Sequence, residues 1–231
     1  MNLTDSIKKK ENFKVPKHSY IGNYNGINNF YKKIEKVNNS KPDTVRIFHF
    51  GDSHIKGGYM TGVIKERFRE DFGGKVVYNS LGINGASFET FNKKEDFEKI
   101  LKSEKPDLII ISLGTNDASG ENFDENYFLK TVAKLVQTIF DVLPDIDILM
   151  TTAPDYQKNN EPNKFVPIAN YLIIRFCEEN NFAYWDIFET MGGLGSSQNW
   201  FEQGYMAKDK IHFTVKGYEL IGEIFYQDLM E

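Results

Sequence analysis

A serine, an aspartate and a histidine in this sequence have the types and spacing that nucleophilic catalysis requires. Ser53 follows Gly51 and Asp52, whereas Asp209 and His212 lie three residues apart near the end of the chain. On a turn, this separation lets the carboxylate bond one ring nitrogen of His212 and leaves the other nitrogen to accept a proton. The order serine, aspartate, histidine matches one known triad arrangement. These residues predict Ser53 as nucleophile and His212 as its general base.

Two further loops hold groups that such a site needs. Asn116 lies in the segment Gly-Thr-Asn-Asp at residues 114–117, and its amide can donate an N–H into the same cleft. Gly85 lies in the loop of residues 82–87, where the backbone can approach a ligand closely. On a strand-to-helix turn, the N–H of Ser53 can also point toward an anion.

Each motif alone has a structural explanation that requires no chemistry. Asp and Ser are favoured in turns and at helix N-termini, so Asp52 and Ser53 by themselves indicate a cap. An asparagine such as Asn116 is typical of an Asx turn, and an isolated Asp and His pair is as often structural. The joint occurrence of the motifs at loops of one sheet edge favours the catalytic interpretation.

The elements that must position these loops follow from hydrophobic patterning. Five short apolar runs rich in β-branched or aromatic residues occupy residues 45–50, 76–81, 108–113, 146–151 and 182–187. Helical patterns lie at residues 62–72, 94–101, 127–143, 165–178 and 215–229. The alternation predicts an α/β fold, a three-layer α/β/α sandwich with a central, mostly parallel five-stranded sheet. Such sheets bind ligands beyond the carboxyl ends of their strands.

Composition limits the remaining classes of function. The chain of 231 residues suits one domain with a packed core, since 40% of its residues are hydrophobic and 26% are charged. A net charge of -5 removes the overall attraction that a nonspecific nucleic-acid binder needs. Cys177 is the single cysteine, so we expect neither an intramolecular disulfide nor a metal site, and no cofactor.

The first 44 residues are polar and predict an extension that precedes a main domain of residues 45–231. A short amphipathic patch, Phe30, Tyr31, Ile34 and Val37, predicts one helix packed on that domain. The chain begins without the apolar stretch of a secretion signal, and no window approaches the roughly 18 apolar residues of a membrane span. We therefore expect no membrane span, and the compartment stays open.

With these motifs in place, the sequence resembles the SGNH (GDSL-like) hydrolases from residue 45 to the end. Residues 51–53 resemble the nucleophile block of the family, Gly85 the glycine of its second block, residues 114–117 its third block and residues 209–212 its last. Gly82 competes with Gly85, which is preferred because two small residues follow it.

The family resemblance implies a flavodoxin-like sandwich that carries a serine hydrolase site. Its implied triad and oxyanion hole are Ser53, Asp209 and His212, and the N–H groups of Ser53 and Gly85 with the amide of Asn116. A narrower resemblance, to bacterial envelope proteins related to peptidoglycan O-acetylesterases and O-acetyltransferases, rests on residues 51–55, 72–74 and 191–193, Trp200 and residues 212–218.

This narrower resemblance implies removal of an acetyl group from a sugar hydroxyl, with a glycan or small-molecule ester as the partner. It suggests the cell envelope or periplasm as the compartment, with the cytoplasm as the alternative. His54 is expected to form a wall of the site or to contact substrate. Trp200 is expected to stack on a sugar, although aromatic residues in such loops more often pack into the core.

Three alternative functions remain at this point. A carbohydrate O-acetyltransferase would use the same triad, and a lipase or thioesterase would share the architecture but favour an apolar lid or channel. A carbohydrate-binding module with an esterase-like cleft would need no triad. The complete set of Ser53, Asn116, Asp209 and His212 argues against that module.

Overall fold

A parallel sheet of five strands lies at the centre of the structure, a computed structural model that describes residues 21–38 and 43–231. The strands along the chain are β1 (Val45–Gly51), β2 (Val76–Gly82), β3 (Leu108–Ser112), β4 (Asp147–Thr151), β5 (Gln157–Lys158), β6 (Glu161–Pro162) and β7 (Ala183–Trp185). The central sheet has the order β2-β1-β3-β4-β7, and all its neighbouring strands are parallel. Strands β5 and β6 form a separate antiparallel hairpin.

The described helices connect these strands, and side-chain caps begin several of them. They are α1 (Asn28–Asn38), α2 (Ser53–Lys56), α3 (Tyr59–Phe72), α4 (Phe88–Asn92), α5 (Phe97–Glu104), α6 (Glu125–Val142), α7 (Val166–Glu179), α8 (Ile187–Met191), α9 (Ser196–Glu202) and α10 (Val215–Met230). The side chain of Asp124 accepts the N–H of Tyr127 at the start of α6. Thr214 accepts the N–H of Gly217 at the start of α10, which fixes where the chain leaves the loop that contains His212.

Alternate residues of the sheet pack into two separate cores. In β3, Leu108 and Ile110 join the core that contains residues of α3 and α10, whereas Ile109 and Ile111 join the core with residues of α6 and α7. Successive side chains of a strand point to opposite faces, so helices must cover both faces of this apolar strand. The prediction of a three-layer α/β/α sandwich around a parallel five-stranded sheet is confirmed.

The register of the sheet brings the candidate loops to one edge. Gly51 at the end of β1 aligns with Gly82 of β2 and with Ser112 of β3, and Ser112 aligns with Thr151 of β4. Because the strands are parallel, the chain leaves each of them on the same side. The segments that carry Ser53, Gly85 and Asn116 therefore begin next to one another.

Two features differ from the sequence pattern. The last strand is shorter than residues 182–187, because the side chain of Asp186 accepts the N–H of Glu189 and starts α8 at Ile187. The hairpin of β5 and β6 was not predicted at all.

The expected N-terminal helix is observed as α1, and Asp147 anchors it by accepting the N–H of Phe30 at 2.7 Å. Residues 1–20 and 39–42 of the expected extension lie outside the described residues, and the boundary at residue 45 stays a prediction. In the part of the chain that is described, no helix is long and apolar enough to cross a membrane.

Candidate active site

Ser53 is the first residue of α2, immediately after the turn that ends β1. The side chain of Asp52 caps this helix by accepting the N–H of His54 at 2.8 Å, so the structural role expected for the Asp and Ser pair is present. The hydroxyl of Ser53 nevertheless lies 2.9 Å from Nε2 of His212, a residue 159 positions away in the chain. The turn thus caps a helix and also presents a hydroxyl to a base.

The loop of Asp209 and His212 is held by its own hydrogen bonds. Oδ2 of Asp209 lies 2.8 Å from Nδ1 of His212, and Oδ1 accepts the N–H groups of Ile211 and His212 at 3.0 Å each. Lys210 has a positive φ of 52°, which lets the loop turn back within four residues. The carboxylate therefore fixes both the backbone and the ring of His212.

The protonation state of Asp209 suits this role. Partial burial acts to raise its pKa, but the hydrogen bonds from the His212 ring and from the N–H groups of Ile211 and His212 outweigh that effect and lower the pKa below its ordinary value. Asp209 is a carboxylate at neutral pH and stabilises a protonated His212. The two side chains are 46% and 39% exposed, so a ligand can reach the pair.

Gly82 ends β2 and Gly85 lies in the loop that follows, and the two glycines have different structural roles. Gly82 packs against α2, where an added Cβ would lie 2.0 Å from the backbone nitrogen of Lys56. Gly85 has a φ of 71° in a turn closed by the hydrogen bond from Ala86 N–H to the Ile83 carbonyl, and space around it is open. Close packing thus explains Gly82, and Gly85 is the glycine that exposes its backbone.

Asn116 is oriented by the same loop, because its Nδ2 donates to the carbonyl oxygen of Ala86 at 2.9 Å. An amide nitrogen carries two protons, and this bond uses one of them. Among the described residues, the N–H groups of Ser53 and Gly85 have no hydrogen-bond acceptor. Three donors therefore remain for a ligand on the segments that follow β1, β2 and β3.

Asp117, after β3, connects its own loop with the segment that follows β2. Its Oδ1 accepts the N–H of Phe88 at 3.2 Å, while its Oδ2 is buried without a partner among the described residues. Burial raises the pKa of Asp117 to about 7. This carboxyl group therefore differs sharply from Asp209, although both lie near the same sheet edge.

His54 lies behind His212 and away from the open surface of the cleft. It is 7% exposed, its Nδ1 lies 3.0 Å from the hydroxyl of Tyr218, and its ring centroid lies 5.3 Å from that of His212. Burial lowers the pKa of His54, which keeps the ring neutral. It forms part of the wall that supports His212.

Trp200 corrects the expectation of a sugar-stacking residue. It is 1% exposed, and its Nε1 donates to the carbonyl oxygen of Met191 at 2.9 Å. Its ring packs against Phe213, which follows His212. Trp200 belongs to the core beneath the loop, because its large apolar surface gains more from burial than from exposure.

The hairpin of β5 and β6 is a wall of the cleft that the sequence analysis missed. The N–H of Gln157 donates to the carbonyl of Lys210 at 3.1 Å, in the loop that contains Asp209 and His212. The turn residues Asn159 and Asn160 have positive φ angles of 54° and 64°, as two-residue hairpin turns require. The Asn-Asn pair was the signal that pattern analysis could have used, because asparagine tolerates this conformation.

In the described part of the chain, no group of three or more His, Cys, Asp or Glu side chains is arranged to hold a metal ion. The buried thiol of Cys177 lies in α7, in the core.

Comparisons with known proteins agree with this geometry. A sequence profile described as GDSL-like lipase/acylhydrolase matches residues 47–225. No curated protein shows significant similarity to this chain. Three similar solved structures are a peptidoglycan O-acetylesterase (TM-score 0.81, 19% identity, 86% of this chain and 94% of that one), a lipase/acylhydrolase from Enterococcus faecalis (0.64, 21%, 80% and 94%) and the acetyl xylan esterase AlAXEase (0.64, 19%, 79% and 98%).

Proposed function

Because the chain belongs to the GDSL-like lipase/acylhydrolase family and is a hydrolase of ester bonds, we propose that it removes O-acetyl groups from a carbohydrate through an acetyl-enzyme on Ser53. The proposal rests on two consecutive contacts of His212. Its Nδ1 lies 2.8 Å from Oδ2 of Asp209, and its Nε2 lies 2.9 Å from Oγ of Ser53. This arrangement activates a serine hydroxyl for acyl transfer.

The proposed reaction has two halves. Ser53 Oγ attacks the acetyl carbonyl carbon while His212 Nε2 takes the hydroxyl proton, and Asp209 stabilises the imidazolium. The tetrahedral intermediate then collapses, the bond to the sugar oxygen breaks, and His212 gives its proton to that oxygen. In the second half, His212 deprotonates a water molecule that attacks the acetyl-enzyme. The bond from Ser53 Oγ to the acetyl carbon then breaks, His212 returns its proton to Oγ, and acetate and free Ser53 result.

The oxyanion of each intermediate is assigned to three donors, the N–H groups of Ser53 and Gly85 and the side-chain amide of Asn116. The free donors on adjacent loops support this assignment, and so does the bond from Asn116 to Ala86, which holds the amide before substrate arrives. A donor held in advance needs no reorganisation during the reaction, and loss of one such donor costs about a hundredfold or more in turnover.

An acetylated sugar is the substrate class that the surroundings of the triad favour. The cleft beside Asp209 is lined by lysine, asparagine and glutamine side chains, which suit a hydroxyl-rich ligand better than a long acyl chain. The similar structures named above include enzymes described as acting on acetyl groups of peptidoglycan and of xylan.

A chromogenic ester series from acetate to octanoate, combined with labelling by a serine-directed fluorophosphonate, tests this proposal. We expect acetate to turn over fastest and the label to attach to Ser53, with Ser53→Ala as the unlabelled control. Fastest turnover of octanoate would replace the carbohydrate assignment with a lipase. Absence of both adduct and turnover would contradict catalysis and favour a carbohydrate-binding module.

The acceptor of the acetyl group needs its own measurement. O-acetylated oligosaccharides are incubated with the protein and with unmodified acceptor oligosaccharides, and the products are followed by mass spectrometry. A hydrolase releases acetate and leaves the acceptors unmodified. Acetylated acceptors would assign the same triad to an O-acetyltransferase.

A further inference from the structure

A polar groove lies directly beside the proposed triad. It has a volume of about 400 Å³ and runs between the turn that contains Ser119, the β5 and β6 hairpin, and the loop of residues 208–211. Asp209 itself lines one wall, so the groove adjoins the loop that contains Asp209 and His212. A volume of this size is within the range of small-molecule sites, roughly 300–1,000 Å³.

Three lysines line this groove, and their ammonium groups are bonded to neutral acceptors or to none. Lys158 donates to the carbonyl oxygens of Ser119 and Gly120 at 2.8 and 2.7 Å. Lys210 donates to the amide oxygens of two glutamines, Gln157 at 2.9 Å and Gln198 at 2.8 Å. Lys208 is exposed. Three lysines therefore line one groove, and none of them forms an ion pair within the described residues.

The nearest carboxylates of the described chain do not neutralise this groove. Glu161 is opposite Lys158 in the hairpin register, and Glu202 accepts a hydrogen bond from the amide of Gln198 at 2.7 Å. Within the described residues, neither carboxylate forms an ion pair with a lysine of the groove. The carboxylate of Asp209, which contacts His212, offsets one of the three positive charges, so the lining of the groove keeps a net positive charge. A concentration of positive charge thus occurs on a protein whose net charge is -5.

The groove is built from braced segments. Lys158 ties the hairpin to the turn that follows Asn116, and the Gln157 N–H ties it to the loop of Asp209. Lys210 adds a bond from that loop to α9 through Gln198. Because the ammonium groups of Lys158 and Lys210 are positioned before a ligand binds, little conformational entropy is lost when an anion enters.

We propose that this groove binds an anionic substituent, a carboxylate or a phosphate, on the sugar whose acetyl group is removed, so that the substrate is an acidic glycan. The inference rests on the proposed function, because the groove selects among substrates of the same triad. A focused positive potential raises the local concentration of an anionic substrate and its association rate.

Three matched substrates test the inference: O-acetylated cello-oligosaccharides that are neutral, oxidised to carboxylates at C6, or phosphorylated at C6. We expect kcat/KM to be about tenfold higher for one or both acidic series than for the neutral one at low salt. The preference should shrink to about twofold in 0.5 M NaCl, because salt screens exposed charges. The series that gains more identifies the anion. Equal or lower kcat/KM for both acidic series overturns the inference.

Charge reversal at an exposed lysine of the groove gives an independent test. Lys208→Glu should abolish the preference for the acidic series and leave the hydrolysis of neutral 4-nitrophenyl acetate within about twofold. The matched control is Lys130→Glu, which makes the same change of net charge at an exposed position of α6. An equal loss in both variants would mean that overall charge, and not the groove, is responsible, and would overturn the inference. Lys208→Gln gives the same comparison without a new negative charge.

Failure of the inference is distinguishable from failure of the proposed function. If neutral and acidic series are hydrolysed equally and 4-nitrophenyl acetate is also hydrolysed, the esterase remains and the anion site is wrong. If 4-nitrophenyl acetate is not hydrolysed and Ser53 takes no label, the proposed function itself is contradicted.

Discussion

Residues 21–38 and 43–231 contain two hydrogen-bonded pairs of a serine and a histidine, and only one pair has the surroundings of a catalytic pair. At the sheet edge, Ser53 Oγ lies 2.9 Å from Nε2 of His212. Inside the sheet, Ser112 Oγ lies 2.7 Å from Nε2 of His49. The contact distances are similar, so the distance between serine and histidine does not separate them.

The partner of the histidine Nδ1 and the burial of the side chains distinguish the two pairs. Nδ1 of His49 lies 2.5 Å from the hydroxyl of Tyr78, and the ring is fully buried between strands. Nδ1 of His212 instead lies beside the carboxylate of Asp209, and both side chains are partly exposed. Burial lowers the pKa of His49 to about 3, so it cannot take a proton at neutral pH.

The buried pair belongs to a polar chain that crosses four strands of the sheet. Tyr78 of β2 contacts His49 of β1, which contacts Ser112 of β3, and Thr151 of β4 donates to Ser112 at 2.9 Å. These groups satisfy one another in the interior, where an unpartnered polar group is costly. A hydroxyl near an imidazole becomes a nucleophile only where the resulting positive charge can be stabilised and a substrate can enter.

The largest expected effect comes from making the same substitution in both pairs. Ser53→Ala should lower kcat on an acetate ester by about a thousandfold or more with little change in stability, because it removes the proposed nucleophile. Ser112→Ala should leave kcat within about threefold but lower the free energy of unfolding by about 1–3 kcal/mol, because His49 and Thr151 lose a partner. Steady-state kinetics and urea unfolding of both variants make the comparison.

Nonadditivity adds a check on the first pair. His212→Ala should lose as much as Ser53→Ala, and the double variant should be little worse than either, since the residues act as one unit. Near wild-type turnover in purified Ser53→Ala would remove the distinction between the two pairs.

The next expected effect concerns the oxyanion, which is proposed to form only at the pair of Ser53 and His212. Asn116→Ala should lower kcat by about a hundredfold and change KM little, because its amide is proposed to bond the oxyanion more strongly than the ester carbonyl. The measurement is the separate determination of kcat and KM on an acetate ester. Unchanged kcat with a raised KM would instead assign Asn116 to substrate binding.

A smaller effect is expected at His54, which packs behind the edge pair. His54→Phe should lower kcat by less than about tenfold and leave KM within about twofold, because His54 supports the ring of His212 and has little surface in the cleft. Kinetics on one acetate ester and one acetylated oligosaccharide test this. A large rise in KM confined to the oligosaccharide would restore His54 as a substrate contact.

A pH-dependent effect on stability extends the comparison from histidines to carboxyl groups. Burial raises the pKa of Asp117 from 3.8 to about 7, so between these values the folded chain holds a proton that the unfolded chain releases. The stability of the wild-type protein therefore falls as pH rises through this window, by up to about 1.4 kcal/mol per pH unit from this group.

Asn cannot titrate, so Asp117→Asn should gain stability relative to the wild type as pH rises from 4 toward 7. Urea unfolding of both proteins at several pH values measures that difference in the free energy of unfolding. A difference that stays constant with pH would show that Asp117 is already ionised in the folded state.

Much of the fold was predictable, because helix and strand periodicity report which side chains face a core. The alternation of apolar runs and helical patterns predicted the parallel sheet, and the two cores on either side of β3 follow from it. The end of the last strand was not predictable from apolarity alone. Ile187 continues the apolar run beyond Asp186, but the side-chain cap at Asp186 commits the chain to a helix there.

The sequence by itself determined the features that depend on a few neighbouring residues. Asp209 and His212 are three positions apart on a turn, so their contact needs only local backbone angles and the N–H bonds within the loop. The positive φ angles of Asn159 and Asn160 are also local, and the residue types indicate them.

Tertiary structure alone decided the features that depend on distant packing. Ser53 meets His212 across 159 positions only because parallel strands end at one edge. The burial of Trp200 and His54, and the gathering of Lys158, Lys208 and Lys210 beside Asp209, depend on how loops from different strands cover the sheet. Exposure and long-range contact result from the packing of the whole domain, whereas sequence spacing constrains only the residues that the chain itself holds together.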